Sequence, residues 1–204
     1  MISTEKQFLF IHVPKTGGNS IQNVLKKYSE DDVVILADHQ DGVERFELRN
    51  KNYKITKHST ILDYKNAIDP EKFQNLFKFA TLRNPWERAI SYYFSPHRNA
   101  KKWNRKKFIE LVKNMPTLRS YLHEDHSKEQ PIQQQIDFLI RFESLSADFK
   151  TICEQLNINH KELPVVNASI RSHYSTYYDK ELIKMIKNKY SEEIEIGSYK
   201  FERL

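Results

Sequence analysis

The chain has 204 residues, with 33 Lys and Arg against 27 Asp and Glu, and a single cysteine. That length suits one domain spanning 1–204, and a hydrophobic content of 39 % supports a sizeable core and argues against a disordered chain. The net charge of +6 has a local source: Arg98, Lys101, Lys102, Arg105, Lys106 and Lys107 crowd into ten residues that hold no acid. Without them the remaining bases equal the acids, unlike a nucleic-acid binder that spreads positive charge over a whole face, so no nucleic-acid partner is expected. Cys153 alone makes no internal disulfide, and the apolar run Phe8 to Val13 is too short for a signal-peptide core or a membrane span. A cytoplasmic chain in a reducing compartment is the expectation.

Taken in order, residues 7–13 (QFLFIHV) read as a buried strand, and Ile21, Val24, Leu25 and Tyr28 then recur at helical spacing. Val33 to Ala37 reads as another strand, 38–54 as polar loop or irregular hairpin, and Tyr53 to Thr56 as a short β-like run. Phe77 to Leu82 is a further strand. Behind it Asn84 is a good N-cap, Pro85 fits the first helical position, and Glu87 stands three residues beyond the cap, the pattern of a capped helix running to about Phe94. The segment 96–131 is the least legible, with helical patches at Phe108 to Val112 and Leu118 to Leu122. Ile136 to Phe142 reads as a strand, Leu145 to Leu156 as an amphipathic helix with Cys153 on its inner stripe, and Asp179 to Tyr190 as a final helix. Strands separated by helices predict an α/β fold, a parallel sheet covered on both faces, with ligands at the carboxyl ends of the strands.

Two turns at such ends carry the chemistry. In Pro14-Lys15-Thr16-Gly17-Gly18-Asn19-Ser20 the glycines let backbone N–H groups approach a ligand, the helix start supplies unpaired donors, and Lys15, Thr16 and Ser20 add their own. This is an anion cradle for phosphate or sulfate. It lacks the G-x-x-x-x-G-K-[ST] pattern, and its lysine precedes the glycines, so it is not the nucleotide-kinase loop. In the second turn Arg83 ends a strand and offers a planar fork for phosphate, or else a salt bridge that holds the turn. Ser91 lies two helical turns further on, so both reach one phosphate only if it lies along that helix.

FIHVPKTGGNSI resembles the 5′-phosphosulfate loop, and FATLRNPWERAISYYF the 3′-phosphate motif, of sulfotransferases that use 3′-phosphoadenosine 5′-phosphosulfate (PAPS), in particular the carbohydrate-sulfotransferase branch. Further similarity lies at KHSTILDY, IDFLIRFESLSADFKTIC and LPVVNASIRSHYSTYY, and it fades between about 96 and 130. The resemblance implies a P-loop-like three-layer fold and transfer of a sulfuryl group from PAPS, without metal, to an acceptor hydroxyl, foremost on a carbohydrate or glycoconjugate. It places the 5′-phosphosulfate on Lys15, Thr16, Gly17, Gly18, Asn19 and Ser20, and the 3′-phosphate on Arg83 and Ser91. Arg171 and Tyr174 match a late loop near the nucleotide, and the stretch could equally be a plain basic surface loop. Lys15 is the candidate for stabilising charge on the leaving oxygen. His58 is the candidate general base, with a structural or substrate-contacting role as its alternative.

Other features weigh less. His12, within the first strand, reads as structural. His123 and His126 lack a third ligand and read as a solvated polar face rather than a metal site. The basic stretch Arg98 to Lys107, with Trp103 inside, is either a solvated face or a grip on an acidic acceptor. Two other functions stay open at this point: a P-loop kinase, and a non-catalytic module binding nucleic acid or an anionic glycan.

Overall fold

A computed structural model describes the chain except residues 41, 42, 96, 97, 99, 101, 124–129, 160, 161 and 164–170; side chains of 36–45 are also left aside. The central sheet has four strands in the order β1 (Ile2–Ser3), β2 (Phe8–Ile11), β5 (Phe77–Leu82) and β6 (Phe138–Arg141). β2 runs parallel to β5 and β5 parallel to β6, while β1 is an antiparallel edge. Three strands therefore end at one edge of the sheet.

Side-chain alternation along β2 and β5 builds a core on each face. Leu9, Ile11, Ala80 and Leu82 face α2 (Ile61–Ala67), α3 (Pro70–Asn75) and α6 (Arg119–Leu122), packing with Ile61, Tyr64, Phe73, Leu118 and Leu122. On the other face Phe8, Phe10, Phe79 and Ile140 meet Ile21, Leu25, Phe149, Ile152 and Cys153 of α1 (Gly18–Leu25) and α7 (Leu145–Gln155). This is the expected α/β architecture, a mostly parallel sheet between helices. Beyond the strand ends an aromatic cluster joins α4 (Pro85–Tyr93), α5 (Arg105–Asn114) and α8 (Lys180–Lys189), with Tyr174 at its edge.

Several expectations need correction. Val33 to Ala37 is part of a longer strand, β3 (Asp32–Gln40), which pairs antiparallel with β4 (Val43–Arg49) in a separate two-stranded sheet, so it adds nothing to the central one. Register shifts after Ile35 and Ala37 make this hairpin irregular. Tyr53 to Thr56 forms bends rather than a strand. Asp179 caps α8 as its side chain accepts from the Leu182 amide, but a further helix, α9 (Ser191–Gly197), follows. Two short helices were overlooked although each carries a start signal: Thr60 and Asp63 form a reciprocal capping box on α2, and Asp69 caps α3 ahead of Pro70.

Candidate active site

The segment 12–20 leaves β2 and enters α1 through two left-handed residues, Lys15 at φ 69° and Gly17 at φ 87°. A β-carbon on Gly17 would also press to 3.0 Å against Phe142 and Leu145, so glycine is required twice over. Gly18 has a different reason. Its missing β-carbon would lie 2.2 Å from the His12 ring, which occupies that space. Gly17 provides no side-chain cap, so the first amides of α1 are left to the loop and to whatever binds there.

Thr16 is buried, and its hydroxyl donates to the Val13 carbonyl at 2.6 Å while pairing with the hydroxyl of Thr81 on β5. That fastens the loop to the sheet and commits the Thr16 side chain to the fold. Ser20 is buried and Asn19 half-exposed at the start of α1.

Arg83 follows β5 directly and lies flat against Phe142, 3.7 Å from the ring centroid to the guanidinium carbon. Its Nη1 donates to the Lys15 carbonyl at 3.0 Å and stands 3.5 Å from Ser91 Oγ, while Nε and Nη2 both point at Glu87. Arg83 and Ser91 thus meet directly, as a ligand lying along α4 requires. Glu87 does not close a capping box: the Asn84 amide that it would have accepted donates instead to Glu143 at 2.9 Å. The Glu87 carboxylate turns outward and bridges Arg83 to Arg171. Arg171 is one-tenth exposed, and its Nη1 is buried with no hydrogen-bond partner among the described residues.

Lys15 completes the cluster, with Nζ 3.3 Å from Ser95 Oγ. Burial, and then the positive charges of Arg83, Arg171 and Arg98, lower its pKa to about 8. Lys15, Arg83 and Arg171, with the charge of Arg98 within range, outnumber the nearby carboxylates of Glu87 and Glu143, so the cluster is short of negative charge. A phosphate or sulfate group supplies what is missing.

His58 sits beside this loop. Its Nδ1 is 3.2 Å from the His12 carbonyl, which can only accept, so Nδ1 carries the proton and Nε2 of the neutral ring has the lone pair. The His58 and His12 rings lie 4.7 Å apart. His12 itself is buried, its Nδ1 has no hydrogen-bond partner among the described residues, and burial followed by the charges of His58 and Lys57 holds its pKa well below the usual value.

Tyr174 is buried near this cluster. At 4 % exposure it packs on Phe201 and Tyr178, and its hydroxyl accepts from the Glu202 amide at 2.8 Å. Arg88, passed over in the sequence, is buried between α4 and the loop: Nε donates to the Pro14 carbonyl at 3.2 Å, Nη2 to the Pro116 carbonyl at 3.1 Å, and Nη1 lies 3.6 Å from the buried Glu193. Its one sequence signal was a second arginine on a helix already carrying Arg83.

The basic stretch divides on inspection. Trp103 packs into the aromatic cluster against Tyr93, Phe108 and Tyr177, and Arg105 pairs with Asp179 at 2.7 Å and with Glu181, so both serve the fold. Arg98 is exposed, 4.1 Å over the Tyr92 ring, while Lys102, Lys106 and Lys107 are also exposed. His123 Nε2 accepts from Arg119 Nη1 at 2.6 Å, which sets a cation where a metal would bind; His126 lies outside the described residues. Among the described residues no three His, Cys, Asp or Glu side chains gather as a metal site, and no helix is long and apolar enough to cross a membrane.

The turns at the ends of β2 and β5 gather donors and cations suited to an anionic group, and comparison of the chain with known families decides which fold this is. A model of the sulfotransferase family matches residues 1–200. The chain belongs to the sulfotransferase family. Neither a curated protein nor a solved structure matches it. As a sulfotransferase it transfers a sulfuryl group, and its family generally takes that group from PAPS.

Proposed function

We propose that this sulfotransferase moves the sulfuryl group of PAPS to a hydroxyl of a carbohydrate or glycoconjugate. The observation that carries the reading is the junction of the two turns. Arg83 reaches Ser91 with one nitrogen and holds the Lys15 carbonyl with the same one, so the two turns that resemble the 3′-phosphate and 5′-phosphosulfate motifs adjoin. That juxtaposition supports a nucleotide carrying anionic groups on both its 3′ and 5′ positions.

In the reaction the acceptor oxygen attacks sulfur as the bond from sulfur to the bridging phosphate oxygen breaks. The electron pair stays on that oxygen, giving 3′-phosphoadenosine 5′-phosphate, and the hydroxyl proton passes to His58 Nε2. Amides of residues 16–19 and the ammonium of Lys15 meet the growing negative charge, the Ser20 amide being held by the Gly17 carbonyl, and fixed donors of this kind act most strongly in the transition state. With two arginines and a lysine at hand, the protein itself supplies the cationic charge that phosphoryl-transfer enzymes draw from Mg²⁺. Thr16 contributes through its amide, because its hydroxyl is occupied, and Tyr174 packs beside His173 and Phe201 three residues after Arg171. The carbohydrate acceptor rests on the sequence resemblance and on the exposed cations Arg98, Lys102, Lys106 and Lys107, which suit a glycan already bearing acidic groups.

The test is product formation. Incubating the enzyme with labelled PAPS and a panel of glycans, without added metal, should add the mass of one sulfate to at least one acceptor, and Lys15→Ala should slow the gain by about 100-fold or more. Transfer of phosphate from ATP in the same panel would overturn the reading.

A further inference from the structure

Glu87 is the one acid in the cationic pocket that touches two of its members. Its Oε2 accepts from Arg83 Nε and Nη2, and its Oε1 accepts from Arg171 Nη2, although Arg171 comes from a loop 84 positions away in the chain. All three groups are largely removed from water: both arginines are one-tenth exposed and Glu87 about one-quarter. Two buried guanidinium groups beside a buried lysine repel one another, and nothing but Glu87 is hydrogen-bonded to the Arg171 side chain among the described residues. The carboxylate also stands in the first turn of α4, where negative charge is favoured.

From this geometry we infer that Glu87 is a positioning residue that recruits Arg171 to the 3′-phosphate site and thereby sets the preference for nucleotides bearing a 3′-phosphate. One edge of Arg171 is spent on Glu87. The other edge, Nη1, is buried without a hydrogen-bond partner among the described residues, so it is the guanidinium edge left unspent, whereas Nε and Nη2 of Arg83 face Glu87 and its Nη1 faces Lys15 and Ser91. Arg83 shapes the site, and Arg171 closes it on the ligand. This inference rests on the donor-site reading above, and the experiment separates the two.

Calorimetry with 3′-phosphoadenosine 5′-phosphate and with adenosine 5′-monophosphate measures the preference directly. In the wild type the 3′-phosphorylated nucleotide should bind far more tightly; equal binding of the two, or binding of neither, would overturn the donor-site reading and this inference with it. Glu87→Gln should weaken the 3′-phosphorylated nucleotide about tenfold or more, the scale of a lost charged hydrogen bond, and leave the monophosphate within about twofold. In an Arg171→Gln background the same change should have no further effect, because the residue it positions is gone. Equal loss for both nucleotides, tighter binding in Glu87→Gln, or additive effects of the two substitutions would overturn the inference while leaving the donor site in place. If Glu87→Gln fails to fold, Glu87→Asp carries the same test, since a carboxylate one methylene shorter cannot span both guanidiniums: a reduced preference supports the inference and an unchanged one overturns it.

Discussion

Arg83 Nη1 donates to the backbone carbonyl of Lys15 at 3.0 Å, so the residue that ends β5 fixes the backbone of the loop that ends β2. This contact makes Arg83 more than a ligand-binding cation. Lys15→Ala should lower kcat by about 100-fold or more, the usual cost of removing one donor from a developing anion, with a modest change in donor affinity. Arg83→Lys keeps the charge but cannot form the fork, and it should therefore raise the donor KM and lower kcat together. Steady-state kinetics on both variants check this, and an effect of Arg83→Lys on KM alone would show that the Lys15 backbone holds its place unaided.

The lowered pKa of Lys15, about 8, gives a pH dependence with a definite sign. Anionic ligands favour the protonated amine, so donor binding should be strongest below pH 8 and weaken as the pH rises through it. In kinetic terms kcat/KM for PAPS reports the free enzyme and should fall on the alkaline side near pH 8, while the limb in kcat should sit higher because the bound phosphates stabilise the ammonium. Lys15→Arg should remove the limb in kcat/KM. A flat profile to pH 9.5 in the wild type would contradict the burial and charge environment of Lys15.

How much of this was legible in the sequence depended on how local the physics is. The turns at 14–20 and 83–85 were readable because a glycine pair, a cap and a proline act within a few residues of the strand that precedes them. Glu87 was misread for the same reason: three residues after an N-cap it fits a capping box, and neither Glu143, which takes the Asn84 amide, nor Arg171 is close to it in sequence. Val33 to Ala37 has the composition of a strand, but composition does not say which sheet it joins, and it joins its own hairpin. β1 has two residues, too few for any periodicity to show.

His12 and His58 suggest a second-hand role for a glycine. A methyl group at position 18 would collide with the His12 ring, and His12 supplies the carbonyl that orients His58. Gly18→Ala should therefore lower kcat by about 100-fold or more, comparable with His58→Ala, at the low end of the ~10²–10⁴-fold range expected of a general base. The double variant should be no worse than the worse single one. Rate measurements on the three variants at saturating PAPS decide it, and independent, multiplying losses would separate Gly18 from the base.

The buried pair Arg88 and Glu193 ties α4 and α9 to the loop carbonyl of Pro14. Removing one partner strands a charge in the interior: Arg88→Met should cost about 3–5 kcal/mol of stability, whereas Arg88→Met with Glu193→Leu should recover part of the loss. Urea denaturation of the two proteins measures the difference. A double variant less stable than Arg88→Met would show that Glu193 is needed for its bond to the Leu118 amide rather than for Arg88.

The central claim is that the two turns form one site for a doubly phosphorylated adenosine. Metal-free calorimetry of the wild-type protein against 3′-phosphoadenosine 5′-phosphate and ATP tests it most directly. Tight binding of the former without Mg²⁺, lost in Arg83→Ala, is the predicted result; preference for ATP with Mg²⁺, or no nucleotide binding, would contradict it.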